Sequence, residues 1–293
     1  MTGRVYYFTG TGNCLAVARA VASVLGGQPV SIATALANHP VRTDADTIGI
    51  VFPAYLSALH GVPLIVERFL AAFEDIASKR VFAICTCGGY EIVNAVPALR
   101  NLARFANTQG FTLAAEYTVR LPMNNLDYEH IPVPIETDSA TIISRSESQI
   151  DDICDRIVRK RRGKRHFARR FFTVVMTPMY AAMAKVSVKA LRQMAHEPAD
   201  SPLDFRELIP LTDRSISVDE ACTGCGLCAR VCPVANIQVV EGRPIWLHHC
   251  EMCFACDEWC PQGAVHHWGR PNGAKYHHPK VKAKDLCRPE SPA

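Results

Sequence analysis

Eight of the chain's 13 cysteines fall between Cys222 and Cys260, in the runs CTGCGLCARVCP and CEMCFACDEWCP, and every cysteine of the first recurs 28 residues later in the second. Cys222, Cys225, Cys228 and Cys232, followed by Pro233, thus reappear as Cys250, Cys253, Cys256 and Cys260, followed by Pro261. This is an internal duplication. Such a segment is shaped by what its thiolates bind, because little apolar periodicity surrounds them. The other cysteines are Cys14, Cys85, Cys87, Cys154 and Cys287. A secreted disulfide framework would be expected behind an apolar leader, and the sequence instead opens on the strand-like VYYF (5–8), so a reducing, cytoplasmic setting is expected.

The spacing is that of bacterial two-cluster ferredoxins, in which the fourth cysteine of each run ligates the other cluster. One [4Fe-4S] cluster would take Cys222, Cys225, Cys228 and Cys260; the second would take Cys250, Cys253, Cys256 and Cys232. Three closely spaced thiolates can wrap three corners of a cubane, and the fourth, held by its proline turn, reaches across a pseudo-twofold axis. Amides near Gly224 and Gly226 can donate to cluster sulfurs. The competing reading is a pair of zinc sites, but zinc fingers and ribbons favour cysteine pairs separated by a longer loop. Residues 236–247, NIQVVEGRPIWL, read as a small hairpin covering a cluster.

Ahead of this segment the pattern is different. RVYYF (4–8), PVSIA (29–33), TIGIVF (47–52), RVFAICT (80–86) and FTLAAEYTV (111–119) are apolar and rich in β-branched or aromatic residues, as buried parallel strands are. Leu15, Ala18, Val21, Ala22 and Leu25 fall on one helical stripe, and helices are also expected at 63–73, 93–106 and 139–165. Strands alternating with helices indicate a doubly wound α/β sheet. The expected division is residues 1–165 as that domain, 166–216 as a helical connector and 217–293 as the cluster domain with its tail. The longest apolar stretch, 171–184, has 14 residues and contains Pro178, whereas a membrane span needs about 20, so no transmembrane segment is expected.

The net charge of +4 is the balance of unlike segments: −2 over 1–150, +6 over 151–216, −4 over 217–268 and +4 over 269–293. RKRRGKRHFARR (159–170) places eight Lys or Arg in twelve residues, which is either an attractor for an acidic partner or a solvated helix end.

After the first strand comes TGTGNC: Thr9, Gly10, Thr11, Gly12, Asn13 and Cys14. No lysine follows the glycines, as a nucleoside triphosphate loop requires, and Leu15 stands where a dinucleotide fingerprint needs glycine. The remaining hydroxyls, amide and backbone N–H groups at a helix start suit a terminal monophosphate, although the loop alone could be an ordinary strand-to-helix turn. Two further loops are expected at the same sheet edge: Pro53, Ala54, Tyr55 and Leu56 after the third strand, and Thr86, Cys87, Gly88, Gly89 and Tyr90 after the fourth. Tyr55 and Tyr90 could flank a flat ring. Together the three loops suggest a flavin.

At these residues the chain resembles the flavodoxin-domain ferredoxins, in which an FMN-binding flavodoxin fold precedes a two-cluster ferredoxin domain. The resemblance runs from YYFTGTGN through FPAYLSALHGVPLIVERF and TCGGY to the cysteine runs and the tail YHHP (276–279), with LPMNNL (121–126) a further family-like segment. It implies a five-stranded sheet in the order 2-1-3-4-5, FMN phosphate on Thr9 to Cys14, and the isoalloxazine between Tyr55 and Gly88 to Tyr90. Cys14 departs from the threonine usual in flavodoxins.

The expected function is electron transfer between FMN and two [4Fe-4S] clusters, converting one-electron and two-electron couples. No nicotinamide motif is present, so a redox partner protein is expected, an acidic ferredoxin or flavodoxin docking near 159–170; no nucleic-acid partner is expected, and oligomeric state is not legible. The rival is a reductase passing electrons from FMN to a small acceptor such as a quinone or corrinoid, with Cys87, His60 or Tyr90 as polar partners. A redox sensor is a third class. Cys87 reads either as a redox or acid group or as an inert buried thiol. The doublets His248/His249, His266/His267 and His277/His278 read either as tuning the clusters or as surface and carbonyl-bonded residues, and Trp246, Trp259 and Trp268 read as apolar cover.

Overall fold

The computed structural model describes residues 2–123, 138–160, 175–267 and 275–288, which form two compact units. Among these residues no helix is long and apolar enough to cross a membrane.

The first unit holds residues up to Thr9, Asn13–Met123 and the described part of 135–184. Its strands are β1 (Gly3–Tyr7), β2 (Val30–Ser31), β3 (Thr47–Pro53), β4 (Arg80–Cys87) and β5 (Leu113–Arg120). They form one parallel sheet in the order 2-1-3-4-5, with Tyr6 opposite both Val30 and Ile50, Val51 opposite Ile84, and Ile84 opposite Tyr117. The order reverses between β1 and β3, where loops at the carboxyl edge diverge and leave a crevice. Residues Thr47–Phe52 of β3 are all buried, as expected of a central strand covered on both faces.

Helices α1 (Asn13–Val24), α2 (Ile32–Ala37), α3 (Leu64–Ala71), α4 (Ala95–Thr108) and α5 (Ser139–Val158) follow the strands. All five apolar residues of the expected α1 stripe are buried. Each such side chain contributes about 1.5–3 kcal/mol for Leu and Val, less for Ala. Three boundaries differ from expectation. β2 stops at Ser31 because buried Ile32 already belongs to α2, leaving only a short edge strand. Pro63 caps α3 from outside rather than opening it. α5 starts on its Asp138 cap, which accepts the Thr141 N–H at 3.0 Å, and closes at Arg159, with Lys160 left-handed at φ 50°. Residues 161–165 lie outside the described residues.

The second unit comprises Gly10–Gly12 and the described residues from Lys185 onward. Helix α6 (Thr177–Met194) precedes α7 (Phe205–Leu211), whose Asp204 cap accepts from the Arg206 and Glu207 amides while Glu207 accepts the Asp204 amide. The expected hairpin is β7 (Ile237–Val240) and β8 (Arg243–Trp246), in register from Ile237 opposite Trp246. β6 (Ser217–Val218) pairs antiparallel with β9 (Val265–His266).

The duplication is visible in the backbone. Helices α8 (Leu227–Val231) and α9 (Ala255–Glu258) begin 28 residues apart, each after a left-handed residue, Gly226 at φ 70° and Phe254 at φ 58°. Gly224 and Met252 are likewise both left-handed, as are Ala235 and Gly263. The turn after each proline also repeats, since the amide of Asn236 donates to Cys232 Sγ and that of Ala264 to Cys260 Sγ, both at 3.3 Å.

Candidate metal centre and cofactor site

Within the second unit cysteines of both runs lie close enough to influence one another's thiols. The thiol of Cys228 is pushed up to about 11, first by burial and then by the neighbouring charges of Cys225, Cys260 and Cys222. Cys256 is raised far above the usual thiol range by burial, then by Cys253, Cys250 and Cys232, with Cys228 of the other set weakest. Cys253 responds to burial and then to Cys232 and Cys250.

Among the described residues no three Cys, His, Asp or Glu side chains gather tightly enough around one point to hold a single metal ion. A cubane makes a different demand, because each thiolate binds a separate iron. One observation bears directly on the fit. The indole N–H of Trp246 is buried without an acceptor, and its side chain packs against the apolar cluster of Cys232, Ile237, Cys256 and Val265, alongside Cys228 and Cys260. Cluster sulfurs are acceptors of the kind that such a donor lacks.

Around the cysteines lies a shell of buried carboxylates that sequence reasoning did not single out. Asp213 is 2% exposed and accepts from Asn236 Nδ2 at 2.7 Å, the His248 amide at 3.0 Å and His248 Nδ1 at 2.7 Å. Asp257 pairs with Lys275, and buried Glu258 accepts the Tyr276 amide at 2.9 Å. Asp257 and Glu258 fall in the segment of charge −4, whose composition does not show which acids are buried, and Asp213 falls in the basic segment before it. The histidine doublets are bound: His249 Nε2 meets the Val234 carbonyl, His266 meets Asp219, His267 lies 3.7 Å from Cys256 Sγ, and His277 meets the Glu258 carbonyl. Trp259 stacks on His277, with centroids 3.8 Å apart. Trp268 lies outside the described residues.

In the first unit the three loops named for a flavin leave the same carboxyl edge of the sheet. Cys14 Sγ lies 3.1 Å from Thr86 Oγ1, joining the β1 loop to the β4 loop, and the Ala54 amide donates to the Thr86 carbonyl at 2.8 Å, joining β3 to β4. Asn13 Nδ2 donates to the Pro122 carbonyl at 2.8 Å. The Tyr55 ring meets Phe8 edge-on, while Tyr90 is exposed. α1 has 12 residues and no acid in its first turn, so its amino end is electrostatically open to an anion. Gly10, Thr11 and Gly12 are counted with the second unit, where the Gly10 carbonyl accepts Trp259 Nε1 at 2.8 Å and the Thr11 carbonyl accepts the His278 amide at 3.0 Å.

Burial pushes the Cys14 thiol up to about 12, with hydrogen bonds from Thr86 and Thr9 opposing, and Cys87 up to about 12, with Glu91 adding to the rise. Cys87 is 7% exposed and its Sγ points at the Gly89 carbonyl at 3.6 Å. Burial favours its neutral form, as for a buried structural thiol. His60 Nε2 lies 2.6 Å from the carboxylate of buried Glu67, and its carbonyl accepts Asn101 Nδ2 at 2.7 Å.

A family model described as a 4Fe-4S dicluster domain matches residues 215–261. The chain thus joins a flavodoxin-like sheet to a segment that matches an iron–sulfur domain, a combination that supports a role in electron transfer. Among solved structures, a flavoprotein from Bacteroides uniformis is 19% identical, covering 50% of this chain and 97% of its own at a TM-score of 0.33. The flavodoxin of Streptococcus pneumoniae is 14% identical, with 53% and 99% covered at 0.32, and the Trp repressor binding protein of Bacillus subtilis is 10% identical, with 53% and 96% covered at 0.36. It is the strand order, not these likenesses, that establishes the fold. No curated protein matches.

Proposed function

We propose that the chain is a cytoplasmic flavo-iron–sulfur protein that relays electrons between FMN and two [4Fe-4S] clusters. The observation that supports this is the 28-residue repeat of the cysteine runs, on a backbone whose left-handed residues recur with the cysteines, over residues that match a 4Fe-4S dicluster domain. Bound FMN would exchange electrons singly or in pairs, and each cluster would exchange them singly. The chain's own part is to hold and insulate. Thr9, Thr11, Asn13 and the amides entering α1 would take the phosphate, and Tyr55 and Tyr90 would flank the ring, with Gly88 and Gly89 letting backbone approach its edge. Cys222, Cys225, Cys228 and Cys260 would hold one cluster, and Cys250, Cys253, Cys256 and Cys232 the other. The partner is a redox protein with an acidic face, drawn by the basic run 159–170, of which only Arg159 and Lys160 are described.

The test is anaerobic purification followed by iron, sulfide and flavin analysis, with about eight iron atoms and one FMN per chain expected. Zinc in place of iron, or no flavin bound on reconstitution, would overturn the reading. The second reading, a reductase of a small acceptor, is favoured by the His60–Glu67 pair, a polar group beside the Tyr55 loop that could hold a proton. Sustained reduction of a quinone or corrinoid without a partner protein would select it.

A further inference from the structure

The 28-residue duplication lets the two cysteine runs be compared position by position, and they are not equally covered. At the paired left-handed positions the first run has Gly224 and Gly226, whereas the second has Met252 and Phe254, both buried. A non-glycine residue there carries backbone strain that glycine does not, so the second run keeps its cover against local preference. The difference extends along the repeat. Thr223 is exposed and its counterpart Glu251 is buried; Cys225 is exposed and Cys253 buried; Arg230 is exposed and Glu258 fully buried.

Other elements fold onto the second run. The Cys250 amide donates to the Pro210 carbonyl of α7 at 3.1 Å, Lys275 and Tyr276 hold Asp257 and Glu258, and Trp259 is stacked beneath His277. Beside the first run stands the turn of the β7–β8 hairpin, so close that a Cβ on Gly224 would lie 2.7 Å from the Gly242 carbonyl oxygen. Val239, Val240 and Ile245 of that hairpin are 39–46% exposed. The acids and bases at the surface nearby, Asp219, Glu220 and Glu241 against Arg230 and Arg243, nearly balance. That is a face for an apolar patch on another protein rather than for a charged nucleotide.

We infer that the two cluster sites are ordered: the set Cys222, Cys225, Cys228 and Cys260 is the port for an external one-electron carrier protein, and the set Cys250, Cys253, Cys256 and Cys232 is an interior relay. The inference rests on the reading that both clusters are present. One electron leaves the carrier, which is oxidised by one, and the port site is reduced by one; the reverse flow uses the same contact, and no bond or proton moves. The chain's contribution is the difference in cover, which sets how closely an outside donor can approach each site.

The holoprotein tests this with a gadolinium chelate as a freely diffusing relaxation probe, read on the shifted cysteine β-proton signals of the two clusters. The port set is expected to broaden several-fold more than the interior set. In Met252→Gly/Phe254→Gly, where glycine suits the left-handed backbone, the interior signals are expected to broaden toward the port's. Equal or reversed broadening in the unaltered protein with eight irons bound would overturn the ordering, whether or not the double variant folds. Fewer than two clusters would instead overturn the reading beneath it.

Discussion

At Cys14 the first turn of α1 presents a neutral thiol where an anion is expected to sit, 1% exposed and bonded to Thr86. A hydroxyl donates far better than a thiol to a charged acceptor, and a hydrogen bond to a charged group is worth about 1.5–3 kcal/mol. Cys14→Thr is therefore expected to tighten FMN binding about tenfold in a fluorescence titration of flavin-free protein. Unchanged or weaker affinity would mean that the phosphate does not meet this side chain. The raised thiols also set a pH dependence. Cys14 and Cys87 stay protonated to about 12 in the fold, against 9.0 when free, so the folded state holds protons that the unfolded chain gives up. Their contribution is complete below pH ~9 and is lost as pH rises from there toward 12. The urea midpoint of the sheet, followed by circular dichroism, is expected to fall as pH rises from about 9 toward 12, and to fall less in Cys87→Ala. The duplicated cysteine runs are legible because their spacing repeats after 28 residues. Glu67, Asp213 and Glu258 were not, because burial of a carboxylate depends on partners far away in sequence.

Among the elements, the strands and long helices were readable from apolar runs and stripes, and the errors fall where the pattern is short. β2 has two residues, too few to show a period, and Ile32 is buried equally well by a strand or by the helix it joins. The helix α9 shows what composition conceals: its four residues include two acids, both buried, that serve as anchors for the tail. Lys275 pairs with Asp257, which is 2% exposed, so Lys275→Met removes the opposite charge from a buried carboxylate. The expected cost is about 3–5 kcal/mol to the second unit, read as faster iron loss to a chelator and a lower unfolding midpoint by tryptophan fluorescence. A reverse-charge pair, Asp257→Lys with Lys275→Asp, would restore part of it if the pairing is the cause. Gly61 makes the same point for a loop: its φ of +85° and a Cβ position 2.7 Å from Ala98 Cβ fix the end of the Tyr55 loop, a constraint that sequence shows only as one more glycine.

For the whole molecule, a net charge of +4 says little, since the surface that a partner meets is set by where the charges lie. The segment 151–216 carries +6, concentrated in 159–170, while the described surface beside the first cysteine run is nearly neutral and apolar. Attraction and electron exchange are thus assigned to different residues. An acidic carrier would be steered by the basic run over about a Debye length, 8–10 Å at physiological salt, and would exchange its electron at a site whose own contacts are insensitive to salt. Electron exchange with a reduced acidic flavodoxin is expected to slow by tenfold or more between low and physiological ionic strength, measured by stopped flow. Replacing Arg161, Arg162, Lys164 and Arg165 by glutamine should remove most of that salt dependence, while Val240→Asp should lower the rate at every salt concentration. A rate that ignores both salt and the four basic residues would show that steering plays no part and that the basic run is only a solvated segment.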